Sequence, residues 1–425
     1  MVPECSGKLK IRASGIVETP SLRLLKLLLI LLMGIGSARV QVLAQGASAK
    51  AAPSPFRPHD ALNAAAFDRF YNLDYERAVQ DFERVAEKYP EDAFAVNHLL
   101  TGVLFRELYR MGALNSGEYA NDSFVNAPHS PADPKTKVQI KNLVDRALRL
   151  EQKLLETNSN DVDALYARGV TRAQFATYTA LIERAWFSAL RNAVGARHDH
   201  ERVLELSPGY SDAKLVVGAH NYVLGSLPWA VKVGAAMVGL GGNREKGLEY
   251  LKECAAAGGE ASIDAKVLLM LFLRREHHYD EALQINRELA GRFPQSSLLA
   301  LEEGNLLRVS NKLPEAATVY RKVWQAGKEG RYPGQHYETA ANSLGDLLRS
   351  KKDYQGAAAA YDLVGTAPQA DPVIKQKASL SAGEMYDLLK KRELAMKKYE
   401  EVIAVNSSNR PADSARKFMK DAYRE

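Results

Sequence analysis

Apolar residues recur along this chain at three- and four-residue spacing, the signature of helices that each bury one stripe. Phe67, Phe70 and Tyr71 mark a first helix, and a turn follows at Asn72-Leu73-Asp74. A second helix starts at Tyr75 and carries Ala78, Phe82, Val85 and Ala86 before Tyr89-Pro90 ends it. A longer helix is predicted from Ala93 to Met111, then a polar, Pro- and Asn-rich loop over 115–137, then a helix over Val138–Thr157. Asp161–Gly169 opens a further helix, Ile182–Leu206 its partner, and Ser211-Asp212-Ala213 the next unit, with Gly218 as its small packing residue. Residues 223–242 are apolar and Gly-rich with one charge, and helix resumes at Lys246.

In the C-terminal half the pattern repeats. A small residue is followed 12 positions later by Ala and 16 later by an aromatic: Gly304–Ala316–Tyr320, Gly345–Ala357–Tyr361 and Gly383–Ala395–Tyr399. A fourth copy runs from Met270 to Ala282, with Asn286 in the aromatic slot and Pro294 closing the unit. Ala-to-Ala steps of 34, 41 and 38 residues are those of stacked helix-turn-helix units. A single such pair buries too little to offset about 1–2 kcal/mol of backbone entropy per residue. Stability therefore comes from neighbours hiding each other's apolar faces. The small residues are expected to face the Ala of the partner helix across a close crossing.

The turn segments Asp74-Tyr75-Glu76-Arg77-Ala78, Tyr279-Asp280-Glu281-Ala282, Leu313-Pro314-Glu315-Ala316 and Asp353-Tyr354-Gln355-Gly356-Ala357 resemble those of the tetratricopeptide repeat family. Over residues 210–320 the Leu-Pro-Trp, Gly-Leu-Gly-Gly and Arg-Glu-Lys-Gly-Leu segments are similar to a branch of that family. The branch includes the mitochondrial-outer-membrane inclusion-clearing protein. The resemblance implies an all-α fold, a right-handed superhelical solenoid whose concave wall is lined by first helices. Side chains at the first, fourth and fifth positions after the small residue would then point into the groove. These include Asn305, Arg308, Asp346, Arg349, Glu384 and Asp387, with Asn342 one turn earlier. Their mixed signs differ from the Lys and Asn cluster that grips an acidic peptide C-terminus in some members. The expected partners are proteins or peptides.

The N-terminus changes the setting. After basic residues ending at Lys26, an apolar core of 12 residues runs from Leu27 to Ala38, short of the about 20 a spanning helix needs. Val42-Leu43-Ala44 follows, with Ala47-Ser48-Ala49 as a second small-residue exit. Residues 1–44 are therefore expected to be a signal peptide cleaved near Ala44, sending the chain to the periplasm or outside the cell. Residues 45–60, small and Pro-rich, read as a flexible lead-in. The expected organisation is then a divergent helical array over 61–264 and regular repeats over 265–425, closed by a charged helix from Arg410 to Arg424.

Charge and chemistry narrow the function. The net charge is +6, but residues 1–44 hold six basic groups against two acidic, leaving +2 on the rest. No concentrated basic face remains for nucleic acid. Two cysteines, Cys5 and Cys254, form no disulfide framework or thiolate metal site, and Cys254 reads as a small buried side chain. His198-Asp199-His200-Glu201 puts its histidines on different helix faces, and Glu276-His277-His278 falls in an inter-helix turn. Gly239-Leu240-Gly241-Gly242 lacks the ending of a phosphate loop, and no Gly-x-Ser-x-Gly elbow occurs. The expectation is a non-catalytic scaffold without cofactor or metal. An alternative is contact with a membrane surface or apolar ligand through 223–242, where Trp229, Val231, Val233, Met237 and Leu240 cluster.

Overall fold

The computed structural model describes residues 55–114, 130–227, Lys232 and 241–425. Those residues form an all-α solenoid of 17 α-helices with no strand among them. The helices are α1 (Ala61–Tyr71), α2 (Tyr75–Lys88), α3 (Ala93–Arg110), α4 (Pro134–Thr157), α5 (Val162–Leu181) and α6 (Trp186–Leu206). Next come α7 (Lys214–Gly225), α8 (Arg244–Ala257), α9 (Ser262–Arg275), α10 (Tyr279–Arg292), α11 (Ser297–Val309) and α12 (Leu313–Lys328). The last are α13 (Glu338–Ser350), α14 (Tyr354–Val364), α15 (Pro372–Leu388), α16 (Arg392–Val405) and α17 (Arg410–Lys420). Consecutive helices pack on each other wherever both flanks are described, and first helices of adjacent repeats also touch: α11 with α13, α13 with α15, α15 with α17. Sequence-local packing of this kind is what makes a stack.

Local chemistry sets the boundaries. Asp60, Asp92, Asp133, Asp161, Ser296, Asp371 and Asn409 each accept a hydrogen bond from the first turn of the helix they cap. Asp133 with Pro134 at the first position starts α4 before Val138, so the loop expected over 115–137 is shorter. Five inter-helix turns share one hydrogen-bond pattern. Leu73, His277, Asn311, Lys352 and Lys390 take φ of 58 to 64°, and the next residue's amide reaches back five positions. That backward bond satisfies carbonyls which the first helix would otherwise leave open.

The glycines face something other than expected. A Cβ on Gly304, Gly345 or Gly383 would lie 2.5 Å from Cε1 of Tyr320, Tyr361 or Tyr399 respectively. The room they leave is taken by the tyrosine ring, while Ala316, Ala357 and Ala395 are fully buried beside it. In the fourth copy Asn286 replaces the ring and donates to Leu299 O at 3.1 Å. Backbone meets backbone at α7 and α8 instead, where a Cβ on Gly247 would sit 2.4 Å from Tyr222 N.

The stack also closes on itself. Asn72, in the first turn, accepts from Gln295 N at 3.0 Å, and Gln335 Nε2 donates to its carbonyl at 3.1 Å. Tyr71 stacks near Phe293 with ring centres 5.0 Å apart, and His336 N donates to Tyr109 Oη at 3.1 Å. The segment read as a flexible lead-in is packed at its end. Phe56 is 2% exposed and stacked 3.7 Å from Phe67, and Arg57 pairs with Glu260 and Asp163 while lying over Phe94. A large apolar ring beside a cation finds partners that Pro-rich composition alone does not announce.

Candidate functional site

The C-terminal repeats place the residues the sequence singles out on α11, α13 and α15, and the repeat tyrosines bond to three of them. Tyr320 Oη donates to Asn305 Oδ1 at 2.9 Å, Tyr361 to Asp346 Oδ1 at 2.7 Å and Tyr399 to Asp387 Oδ2 at 2.8 Å. Each second helix is thereby tied to the groove face of its first helix. Of the seven expected groove residues, Asn305, Asn342 and Asp387 are buried, Asp346, Arg349 and Glu384 half-buried, and Arg308 exposed. Asn305 also donates to Glu302 Oε2 at 3.1 Å, and Glu302 pairs with buried Arg274 at 2.7 Å. Asn342 donates to Asp346 Oδ2 at 3.3 Å, and Lys377 reaches the same oxygen at 3.4 Å. Arg349 Nη1 donates to Glu384 Oε2 at 2.6 Å. Burial pushes the Glu384 carboxyl up, and the Arg349 guanidinium opposes that rise.

The groove is not bare. Helix α17 ends at Lys420, four residues short of the helix expected to reach Arg424, and the backbone turns extended at Asp421. Arg392 Nη2 draws the carbonyls of Phe418 and Met419 at 2.7 and 2.8 Å, which stops the helix. Tyr423 N then donates to Asp387 Oδ2 at 2.8 Å, and Arg349 Nη2 donates to Tyr423 Oη at 2.9 Å. The Tyr354 hydroxyl donates to Glu425 Oε2 at 2.7 Å. A non-helical segment thus lies across the ends of α13 and α15 and the start of α14, held through its backbone, an aromatic hydroxyl and a carboxylate. Arg349, Glu384 and Asp387 are brought together here, Asp346 and Asn342 sit one and two turns back on α13, and Asn305 and Arg308 stand one repeat away on α11. Tyr354 and Tyr423 escaped sequence reasoning. The only available signal was an aromatic in an otherwise charged final segment.

Beside the groove lies a second feature. Between α1–α3 and the inner wall of α9, α11 and α13 is a cavity of about 460 Å³. Its lining is mostly apolar, including Phe70, Phe105, Leu268, Leu271, Leu299 and Val323. Asp264, 8% exposed, lines it and accepts from Tyr71 Oη at 3.2 Å. Burial holds its carboxyl well above the usual carboxylate range, with the Tyr71 hydrogen bond pulling the other way.

Other polar clusters are structural. Asp199 accepts from Arg168 and Arg172 at 2.6 Å each, His200 is buried against Ala196 O at 2.8 Å, and His198 is exposed. Among the described residues no group of three His, Cys, Asp or Glu side chains is placed to hold a metal ion. Cys254 is buried, and that burial raises its thiol pKa. The apolar segment 223–242 falls mostly outside the described residues, and none of the described helices is long and apolar enough to cross a membrane.

Comparison with known proteins adds little beyond this geometry. No protein-family profile and no curated protein matches the sequence. Solved structures do align with it. One is the hetero-tetramer of the anaphase-promoting complex subunits Cut9 and Hcn1, at 13% identity over 84% of this chain, with a TM-score of 0.43. This chain spans 55% of that structure's length. Another is YrrB, titled a TPR protein with an unusual peptide-binding site, at 15% identity over 63% of this chain and 97% of that one, TM-score 0.29. A third is human IFIT1 bound to a capped RNA, at 14% identity over 85% of this chain and 82% of that one, TM-score 0.38.

Proposed function

We propose that this chain is an exported, non-catalytic scaffold of tetratricopeptide type that binds extended peptide segments of protein partners in its C-terminal groove. The observation that carries the reading is the chain's own residues 421–425, a non-helical segment lying against α13–α15. A surface that holds one such segment through a backbone amide, an aromatic hydroxyl and a carboxylate is built to hold another of similar pattern. Asp346, Glu384 and Asp387 in the same groove disfavour a phosphate backbone, so the partner is a protein rather than a nucleic acid. The apolar core at Leu27–Ala38 with its basic flank supports export, and sequencing the mature N-terminus tests it: Met1 retained would refute cleavage near Ala44.

The groove itself is tested with a fluorescent peptide of residues 418–425 added to a chain ending at Lys420. The expected result is saturable binding that Arg349→Ala abolishes and that the intact chain, its groove already filled, shows only weakly. Equal binding to the intact and shortened chains, or none to either, would reject the groove as a peptide site.

A further inference from the structure

We infer that the cavity between the N-terminal hairpin and the inner wall is a binding site for a neutral, largely apolar small molecule carrying a hydroxyl or similar hydrogen-bond donor. The space of about 460 Å³ falls within the roughly 300–1,000 Å³ of small-molecule pockets.

Two lining residues say what polar chemistry the occupant brings. Asp264 and Asn342 are 8% and 6% exposed, and both line the cavity. Among the described residues, neither Asp264 Oδ2 nor Asn342 Oδ1, both buried, has a hydrogen-bond partner. Buried polar atoms are normally satisfied, so an orphan at a cavity points to an absent partner. Asn342 Oδ1 can only accept, which calls for a donor. A hydroxyl suits Asp264 in either protonation state, because it both donates and accepts. The desolvation that keeps this carboxyl from ionising also penalises an anionic head group buried beside it, which makes a fatty carboxylate the weaker ligand.

The walls come from segments far apart in the chain: Phe70 and Phe105 from α1 and α3, Leu268, Leu299 and Val323 from α9, α11 and α12. An occupant would bridge the seam where the stack closes. It would also touch Asn342 and Lys377, both bonded to Asp346 in the neighbouring groove.

The test uses the full chain, delipidated by solvent extraction and refolded, with the neutral apolar dye N-phenyl-1-naphthylamine as probe. One dye is expected to bind per chain with enhanced fluorescence. Decan-1-ol should displace it about tenfold better than its methyl ether, which lacks the donor, the size of one hydrogen bond. Decanoate should compete less well than either. Asp264→Leu should erase the alcohol's advantage while keeping dye binding, and Val267→Phe should fill the space and weaken the dye at least tenfold. Leu271→Phe serves the same purpose should Val267→Phe fail to fold, with circular dichroism as the check. Dye binding unchanged in a folded Phe variant, no dye bound by folded wild type, or decanoate preferred over the alcohol would each overturn the assignment.

Discussion

Gly345→Ala probes the repeat at its tightest point. The added Cβ would stand 2.5, 2.6 and 2.8 Å from Cε1, Cδ1 and Cζ of Tyr361, where carbon pairs settle at about 3.5–4.0 Å. The ring cannot swing aside, because it is buried and its hydroxyl donates to Asp346 at 2.7 Å. Overpacking of this kind costs about 1–3 kcal/mol. Replacing a helical glycine returns about 0.5–1 kcal/mol through the unfolded chain's lost freedom. The net expectation is destabilisation by about 0.5–2 kcal/mol. Gly291→Ala is the control: it is exposed in α10, a Cβ there meets nothing within 4 Å, and it should stabilise slightly. Urea unfolding followed by circular dichroism reads both, provided the slope stays constant. Tyr361→Leu removes the clashing ring edge, so the double variant should lose less than the sum of the singles by about 1 kcal/mol. Strict additivity, or Gly345→Ala as stable as Gly291→Ala, would refute the ring-to-glycine packing.

Three further outcomes follow from buried groups. Arg274→Met removes the buried guanidinium that donates to Glu302 at 2.7 Å and should cost about 1.5–3 kcal/mol, part of it recovered by adding Glu302→Leu; denaturant midpoints check this. Burial pushes the Glu151 carboxyl up to about 7, against hydrogen bonds from Thr171 and Asn97. Its folded pKa exceeds the unfolded one, so its contribution is full below about pH 4.5 and lost as pH rises through 7, about 3 kcal/mol in all. His200 and His220, held to about 4 and about 3 by burial, act oppositely, losing stability as pH falls below 6.5. Comparing Glu151→Gln with wild type from pH 5 to 7.5 isolates the carboxyl: the variant should gain relative stability as pH rises, and a constant gap would count against it. Phe56→Ala should lower stability by about 3 kcal/mol and shift the thermal midpoint, because its ring stacks on Phe67; an unchanged midpoint would mean the packing of Phe56 contributes nothing.

Much of the fold could be read from spacing. The Gly–Ala–Tyr intervals located α11–α16, because residues on one helical face must share a partner. Spacing says less about which side chain fills the crossing, so Ala was expected where the tyrosine ring stands. The five left-handed turn residues carry no glycine and only one Asn, leaving no composition signal for a shared turn. Contacts such as Gln335 with Asn72 depend on curvature accumulated over many repeats, which no local pattern encodes. Position within the repeat singled out Asn305, Asp346 and Asp387, but not that they would anchor tyrosines, nor that Tyr423 would return to meet Arg349.

Amide hydrogen exchange over residues 421–425 tests the occupied groove most directly. The Tyr423 amide, bonded to Asp387, should exchange at least about tenfold slower than in a free peptide and speed up in Arg349→Ala. Free-peptide exchange at Tyr423 in the wild type, unchanged by Arg349→Ala, would mean that the groove holds no such segment.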